Sequence, residues 1–280
     1  MGTLTAEDMR KWQLARLNVL LKRPPVIKGP ETITIAVYHY WPDEIFDREF
    51  DYIEMSIRET WHFMGLMKVV LIINHVTPRI ERFCQEFPKW VKIDLCPELM
   101  PGNVYSMCRD AIGKLHQRFD TPYVMYVHPD GWAIRSGVDP FVGKYDYIGA
   151  PFLPDRGNWV VKALLLKLNM VGNGGFSLRS RKLFEMGAWY YKRKYKLIPN
   201  CFLLYEDLFF TCVLPSYEKK YRDEIHFAPV DVAAQFALED NVDLYQKFGG
   251  KPLGFHSWRA FARLVNDGHI RMGGEGEGVP

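Results

Sequence analysis

The apolar positions of this chain follow two alternating periods. Nearly unbroken runs, "TITIAVYHYW" from Thr32, "KVVLIINH" from Lys68, "KWVKIDLC" from Lys89 and "YVMYVHPD" from Tyr123, read as buried strands. Between them "FDREFDYIEMSIRETWHFMG", "PRIERFCQEFP" and "NVYSMCRDAIGKLHQRF" repeat their apolar residues at helical spacing. Strands alternating with helices predict an α/β domain with a mostly parallel central sheet covered on both faces. In such sheets ligands bind beyond the carboxyl ends of the strands. Asp130 stands at one of those ends, where a carboxylate can reach a ligand without the cost of an unpaired charge in the core.

The second half changes character. "YDYIGAPF" is a short aromatic strand, "DRGNW" a loop, and "MVGNGGFSLRSRKLFEMGAWYYKRKY" a flexible glycine-rich stretch that passes into a strand and a helix. "NCFLLYEDLFFTCVLP", "FAPVDVAAQFALED" and "KPLGFHSW" follow without any linker. The expectation is one domain over 31–262, preceded by an amphipathic helix and linker over 1–30 and followed by a partly flexible tail over 263–280. Thr5 is placed to cap the first helix, with Asp8 three residues on. That helix is expected to pack on its own domain or a partner; the alternative is peripheral contact of its basic face with a membrane. No run reaches the roughly 18 apolar residues of a membrane span.

Composition narrows the picture modestly. With 48% hydrophobic and 25% charged residues over 280, the chain can bury a sizeable core. A net charge of +3 is too small to mark a nucleic-acid binder, although local basic clusters suit anionic ligands. Five cysteines without CxxC spacing cannot form a complete disulfide framework, which favours a reducing, cytoplasmic setting.

Three further stretches could carry chemistry. In "VGNGGFSLRSR" the glycines around Asn173 allow close approach to a polar ligand and positive φ, and a plain turn is the competing reading; Arg179 and Arg181 just beyond are expected to be solvated. In "LLYEDLFFT" Glu206 and Asp207 fall on the first turn of a helix, where one acid serves the dipole and two in an apolar setting suggest a tuned general base. "PLGFHSW" offers His256, a structural residue unless an oxygen ligand stands beside it.

Taken in order, "VMYVHPDGW", "YDYIGAPF", "VGNGGFSLRSR", "YEDLFF" and "LGFHSW" resemble the nucleotide-sugar glycosyltransferases of the GT-A type, and are most similar to an uncharacterised glycosyltransferase family with IGAP, GNGGxSLR, ED and GFH motifs. The resemblance runs from about Ile33 to Trp258. It implies a GT-A, Rossmann-like fold and transfer of a sugar from a nucleotide-diphosphate donor, UDP by base rate, to a hydroxyl of a glycan or lipid-linked acceptor. It also implies a divalent cation, Mn2+ or Mg2+, on Asp130 and His256. The usual Asp-x-Asp is here His128-Pro129-Asp130, so only one acid matches. Asp207 matches the base of inverting members, with Glu206 orienting it or the acceptor. Donor contacts fall on Val37, Tyr38, His39, Asn74, Arg109, His128, Asp130, Asn173, Gly174 and Gly175. A hydrolase or pyrophosphatase on the same scaffold and a non-catalytic glycan-binding protein are the alternatives; the intact Glu206–Asp207 pair argues against the second.

Overall fold

The computed structural model describes residues 4–23, 28–152, 171–196, 205–239, 242–248 and 250–272. The expected Asp155–Trp159 loop and the tail beyond residue 272 lie outside them. Nine strands are found among the described residues: β1 (Ile33–His39), β2 (Lys68–Ile73), β3 (Val91–Leu95), β4 (Tyr123–Val127), β5 (Gly131–Ala133), β6 (Tyr147–Pro151), β7 (Val171–Ser180), β8 (Ala237–Leu238) and β9 (Gly254–His256). Six form the central sheet in the order β3-β2-β1-β4-β7-β6. The first four are parallel, with Thr34 opposite Lys68, Val69 opposite Val91 and Ile33 opposite Tyr123. β7 runs antiparallel to both its neighbours. The mixed α/β class and mostly parallel sheet read from the sequence are therefore the observed architecture.

Crossover helices α2 (Phe46–Met64), α3 (Pro78–Glu86) and α4 (Val104–Lys114) connect the parallel strands. α2 is rich in large apolar side chains on its sheet side; Phe50, Ile53, Ile57 and Trp61 are all buried there. Each such side chain contributes about 1.5–3 kcal/mol of burial. α3 starts on Thr77, whose hydroxyl accepts from the Ile80 amide, with proline at the first helical position. α4 starts on Asn103, which accepts from two amides.

A smaller sheet, β5-β9-β8, packs beside the main one and carries its own core of Trp132, Phe255, Phe261 and Leu264. The N-terminal helix, α1 (Ala6–Leu20), closes this core with Met9, Leu17 and Leu20. Its Thr5–Asp8 capping box forms as expected. Trp12 stacks on Trp132 at 5.6 Å between ring centroids, and Arg16 pairs with buried Glu59 on α2 at 2.9 Å. The helix thus packs against its own chain. No helix of the described residues is long and apolar enough to cross a membrane.

One local expectation is corrected. The glycine-rich stretch is strand, not turn: β7 begins at Val171, and none of Gly172, Gly174 and Gly175 has positive φ. The glycines answer to what lies against the strand.

Candidate active site

β4 ends at Val127, and the His128-Pro129-Asp130 turn that follows is fastened from four directions. The His128 amide donates to the Gly175 carbonyl (2.9 Å) and the Ser257 amide to the Asp130 carbonyl (3.0 Å). The Pro129 carbonyl accepts from Gln13 of α1 (2.7 Å) and from Ser56 of α2 (3.0 Å), both side chains being buried. Gly131 lies so close to β7 and β9 that a Cβ there would sit 2.8 Å from the Phe255 carbonyl oxygen and 3.0 Å from that of Gly175. Such contacts fix both side chains that leave the turn.

Across it, β9 delivers His256 opposite Gly131. Its Nε2 is 3.1 Å from Asp130 Oδ1 and its Nδ1 is 3.2 Å from Glu239 Oε1, so the imidazole is held between two carboxylates. The next residue, Ser257, has φ of 85°, unusual for a side chain with a Cβ, and its hydroxyl caps the following helix, Trp258–Asn266. Burial works against charge on His256, yet the two carboxylates outweigh it and hold its pKa well above the ordinary value. Burial likewise disfavours ionised Asp130, but His256 beside it holds that carboxyl below its usual range. His128, its ring edge-on to His256 at 5.1 Å, is pushed down to about 4 by burial and then by the positive charge of His256, so it is neutral.

Ligand atoms of His128, Asp130 and His256 all lie within 4.8 Å of one another. Two imidazoles and a carboxylate fit a divalent cation of intermediate softness, Mn2+ better than Mg2+, and Glu239 supplies the outer contact that orients a metal-binding histidine. A second cluster, Cys96, Glu98 and Asp110, fits poorly. Asp110 is taken by Arg118, and burial pushes the Cys96 thiol up to about 12.

The adjacent glycines of β7 join this group to the acid pair. A Cβ on Gly175 would stand 2.3 Å from the His256 ring, and one on Gly174 would stand 2.7 Å from Glu206 Oε1 and 3.3 Å from Asp207 Cβ. Two successive residues of β7 thus lie between His256 and the acid pair, and charge reaches across them: Glu206 responds to His128 and Asp207 to Glu239. Glu206 and Asp207 begin a short helix, Glu206–Leu208, continued by a π-helical turn, Phe209–Val213. The wider turn leaves backbone irregular where function often sits.

The two acids differ in kind. Glu206 is buried, 3.1 Å from Arg179 Nη2, and accepts from the Cys108 thiol at 3.3 Å. Burial alone would raise its pKa, but Arg179 outweighs that and lowers it. Arg179, expected in solvent, is fully buried under the faces of Tyr126 (4.4 Å) and Tyr147 (5.0 Å). It lies mid-sheet on β7, where water cannot serve it and Glu206 does. Among the described residues Asp207 has no ion pair of its own; burial, then the negative Glu206, push it up to about 8.

Other residues singled out in the sequence are placed elsewhere. Asn173 donates to the Pro151 carbonyl at 3.3 Å and so bridges β7 and β6. Val37 is buried in β1, and the Tyr38 hydroxyl donates to Asp110 at 2.7 Å within the Arg118 network. His39 is fully buried against Phe46 and Phe50, at 3.9 and 5.6 Å between rings, so it offers no surface to a donor; burial pushes it down to about 3. Asn74, just past β2, is partly exposed. Arg109 lines a cavity on the outer side of α4 that includes none of His128, Asp130, Asp207 and His256. Sequence reasoning passed over Glu239, Gln13 and the buried part of Arg179. The glutamate of "FALED", one residue before its end, was the one available hint of the first.

Solved structures similar to the chain include the galactosyltransferase LgtC in complex with donor and acceptor sugar analogs, at 13% identity and a TM-score of 0.48 over 89% of this chain and 97% of that one. Mouse xyloside xylosyltransferase 1 is similar at 12% identity and 0.48, over 81% and 98%. A glycosyltransferase involved in glycosylation of the major capsid of PBCV-1 is similar at 13% and 0.43, over 85% and 100%. No curated protein matches the chain. Residues 111–256, just over half of the sequence, match the family model described as a protein of unknown function (DUF5672), and the chain belongs to that family.

Proposed function

We propose that this protein is a GT-A type glycosyltransferase that moves a sugar from a nucleoside-diphosphate donor, UDP-linked by preference, to a hydroxyl of a glycan or lipid-linked acceptor with inversion. The observation that carries this reading is the pair of side-chain groups that meet on β7. The glycine pair Gly174–Gly175 lies between a histidine clamped by Asp130 and Glu239 and a carboxyl tuned to about 8. Sugar transfer needs charge neutralised on the departing diphosphate, an anomeric carbon open on one face, and a base on that face.

The first and the last requirement have residues. His128, Asp130 and His256, the last on giving up the proton it holds between the two carboxylates, would hold a divalent cation, Mn2+ before Mg2+, which when bound supplies positive charge for the leaving diphosphate. Gly174 and Gly175, bare of side chains, let Glu206 and His256 close directly on β7 and hold both groups in place. Asp207, ionised, takes the proton of the acceptor hydroxyl as its oxygen bonds to the anomeric carbon. The bond from that carbon to the diphosphate oxygen breaks with its electron pair leaving on the diphosphate, through an oxocarbenium-like transition state. Glu206, neutralised by Arg179, keeps the local field that sets the Asp207 pKa and orients the helix start. Tyr205, whose ring lies 5.3 Å from that of Tyr105 between centroids, directly precedes the two acids.

The test is a thermal-shift screen of nucleotide sugars with Mn2+ and Mg2+. A ligand that binds the folded state raises its melting temperature, and a saturating donor at 100 times its Kd adds about 2.7 kcal/mol. Asp130→Ala should lose the metal-dependent part of the shift. An undiminished shift in that variant would remove Asp130 from the site.

A further inference from the structure

The cavity that takes in Arg109 lies between α4 and the end of helix α5 (Arg181–Tyr190), where a π-helical turn, Tyr191–Tyr195, follows. Its volume is about 610 Å³, enough for a drug-sized ligand. Four basic residues line it: Arg109, Lys114, Lys192 and Lys196. Both lining acids are already engaged, Glu98 by Lys114 at 2.5 Å and Asp110 by Arg118 and the Tyr38 hydroxyl. The run "KRKYK" is divided accordingly. Arg193 lies over the Trp189 ring at 4.2 Å and Lys194 pairs with Glu218 at 2.7 Å, whereas exposed Lys192 and Lys196 face the cavity. The floor is apolar: Ala188, the Tyr191 ring and Gly113, whose missing Cβ would meet that ring at 3.5 Å, with exposed Met100 at the edge.

A basic rim over an apolar floor matches an amphiphilic anion. We propose that this groove binds the phosphate and first chain carbons of a lipid-linked sugar acceptor. The inference rests on the glycosyl-transfer reading and names its acceptor class. Groove and acid pair are neighbours: Ser106 lines the groove, Tyr105 beside it contacts Tyr205, and Tyr205 precedes Glu206 and Asp207. Lys192 and Lys196 are the groups that would hold the phosphate, on the wall of the groove facing α4. The lysines act as charges on flexible stems, which suits a phosphate ester.

The probe is decyl phosphate below its micellar concentration, titrated calorimetrically into the full chain against decyl glucoside, which has the same tail and no charge. The phosphate should bind about tenfold tighter or more, as one or two charge-assisted hydrogen bonds require, and less tightly as salt rises. Lys192→Gln/Lys196→Gln, at exposed positions, should lose that preference while its circular dichroism stays native. Equal binding of the two amphiphiles, or an undiminished preference in the double variant, overturns the proposal. Binding to phosphatidylglycerol vesicles without binding to the monomeric phosphate overturns it too, in favour of a membrane surface. Nucleotide sugars titrated separately keep the two levels apart. A donor that binds while decyl phosphate does not removes the groove alone; decyl phosphate bound as expected with no donor binding leaves the anion groove standing and removes glycosyl transfer.

Discussion

Two histidines end strands of this molecule in opposite circumstances. His39 closes β1 and is packed between phenylalanine rings, where burial pushes it down to about 3 and keeps it neutral. His256 closes β9, is only half-buried, and is held charged by Asp130 and Glu239. A place at the end of a strand is therefore not enough to keep a histidine charged. The carboxylates that the fold brings from β8 and the β4 turn decide it. Similarly, Glu206 and Asp207 are neighbours in sequence, and only the one without an ion pair among the described residues is left poised near neutrality.

The contrast can be broken most severely at the acids. Asp207→Asn should lower kcat by about 10²–10⁴-fold, the range for loss of a general base, with donor affinity retained. In the unaltered protein, turnover should rise with pH through about 8 as Asp207 ionises, and the variant should lose that dependence. Linkage gives a second reading of the same residue. Its folded pKa is raised above 3.8, so the folded state holds the proton more tightly and stability falls as pH climbs from about 4 to about 8. Asp207→Asn should consequently melt a few degrees higher than the parent at pH 8 and no higher at pH 4, measured by calorimetry.

Smaller effects sharpen the other half. Gly175→Ala drives a methyl into the His256 ring and should cost about 1–3 kcal/mol of stability along with metal affinity. Glu239→Gln keeps the shape but weakens the hold on His256, and Mn2+ affinity by calorimetry should fall about 10–100-fold. Gln13→Leu removes one of two donors to the Pro129 carbonyl; a loss of about 0.5–1.5 kcal/mol in stability with weaker Mn2+ binding would tie α1 to the site. Least of all, His39→Phe should shift stability by less than about 1.5 kcal/mol and leave donor affinity alone, since that ring is packing. A large loss of donor affinity there would erase the distinction between the two histidines.

Much of this was legible in the sequence where local pattern and tertiary role agree. The apolar runs of β1, β2 and β4, the helical spacing of α2 and the Thr5–Asp8 box all read directly from neighbouring residues. Asp130, Asp207 and His256 could be nominated because each interrupts an apolar stretch with a group that needs a reason. The glycines of β7 misread as a turn, because their necessity comes from His256 and Glu206, far away in the chain, and leaves no local trace. Arg179 looked like a solvated arginine for the same cause: its partners Tyr126, Tyr147 and Glu206 come from three other elements. Arg109 lines the groove shared with Lys192 and Lys196, a placement the sequence could not show because a helical residue's face follows from packing of its neighbours Cys108 and Met107 against the core.

The direct measurement is of products. The full chain incubated with nucleotide sugars and Mn2+ should yield nucleoside diphosphate together with free or transferred sugar, and Asp207→Asn should yield little of either. Nucleoside monophosphate with sugar phosphate, or no turnover of any donor that binds, would contradict glycosyl transfer at this site.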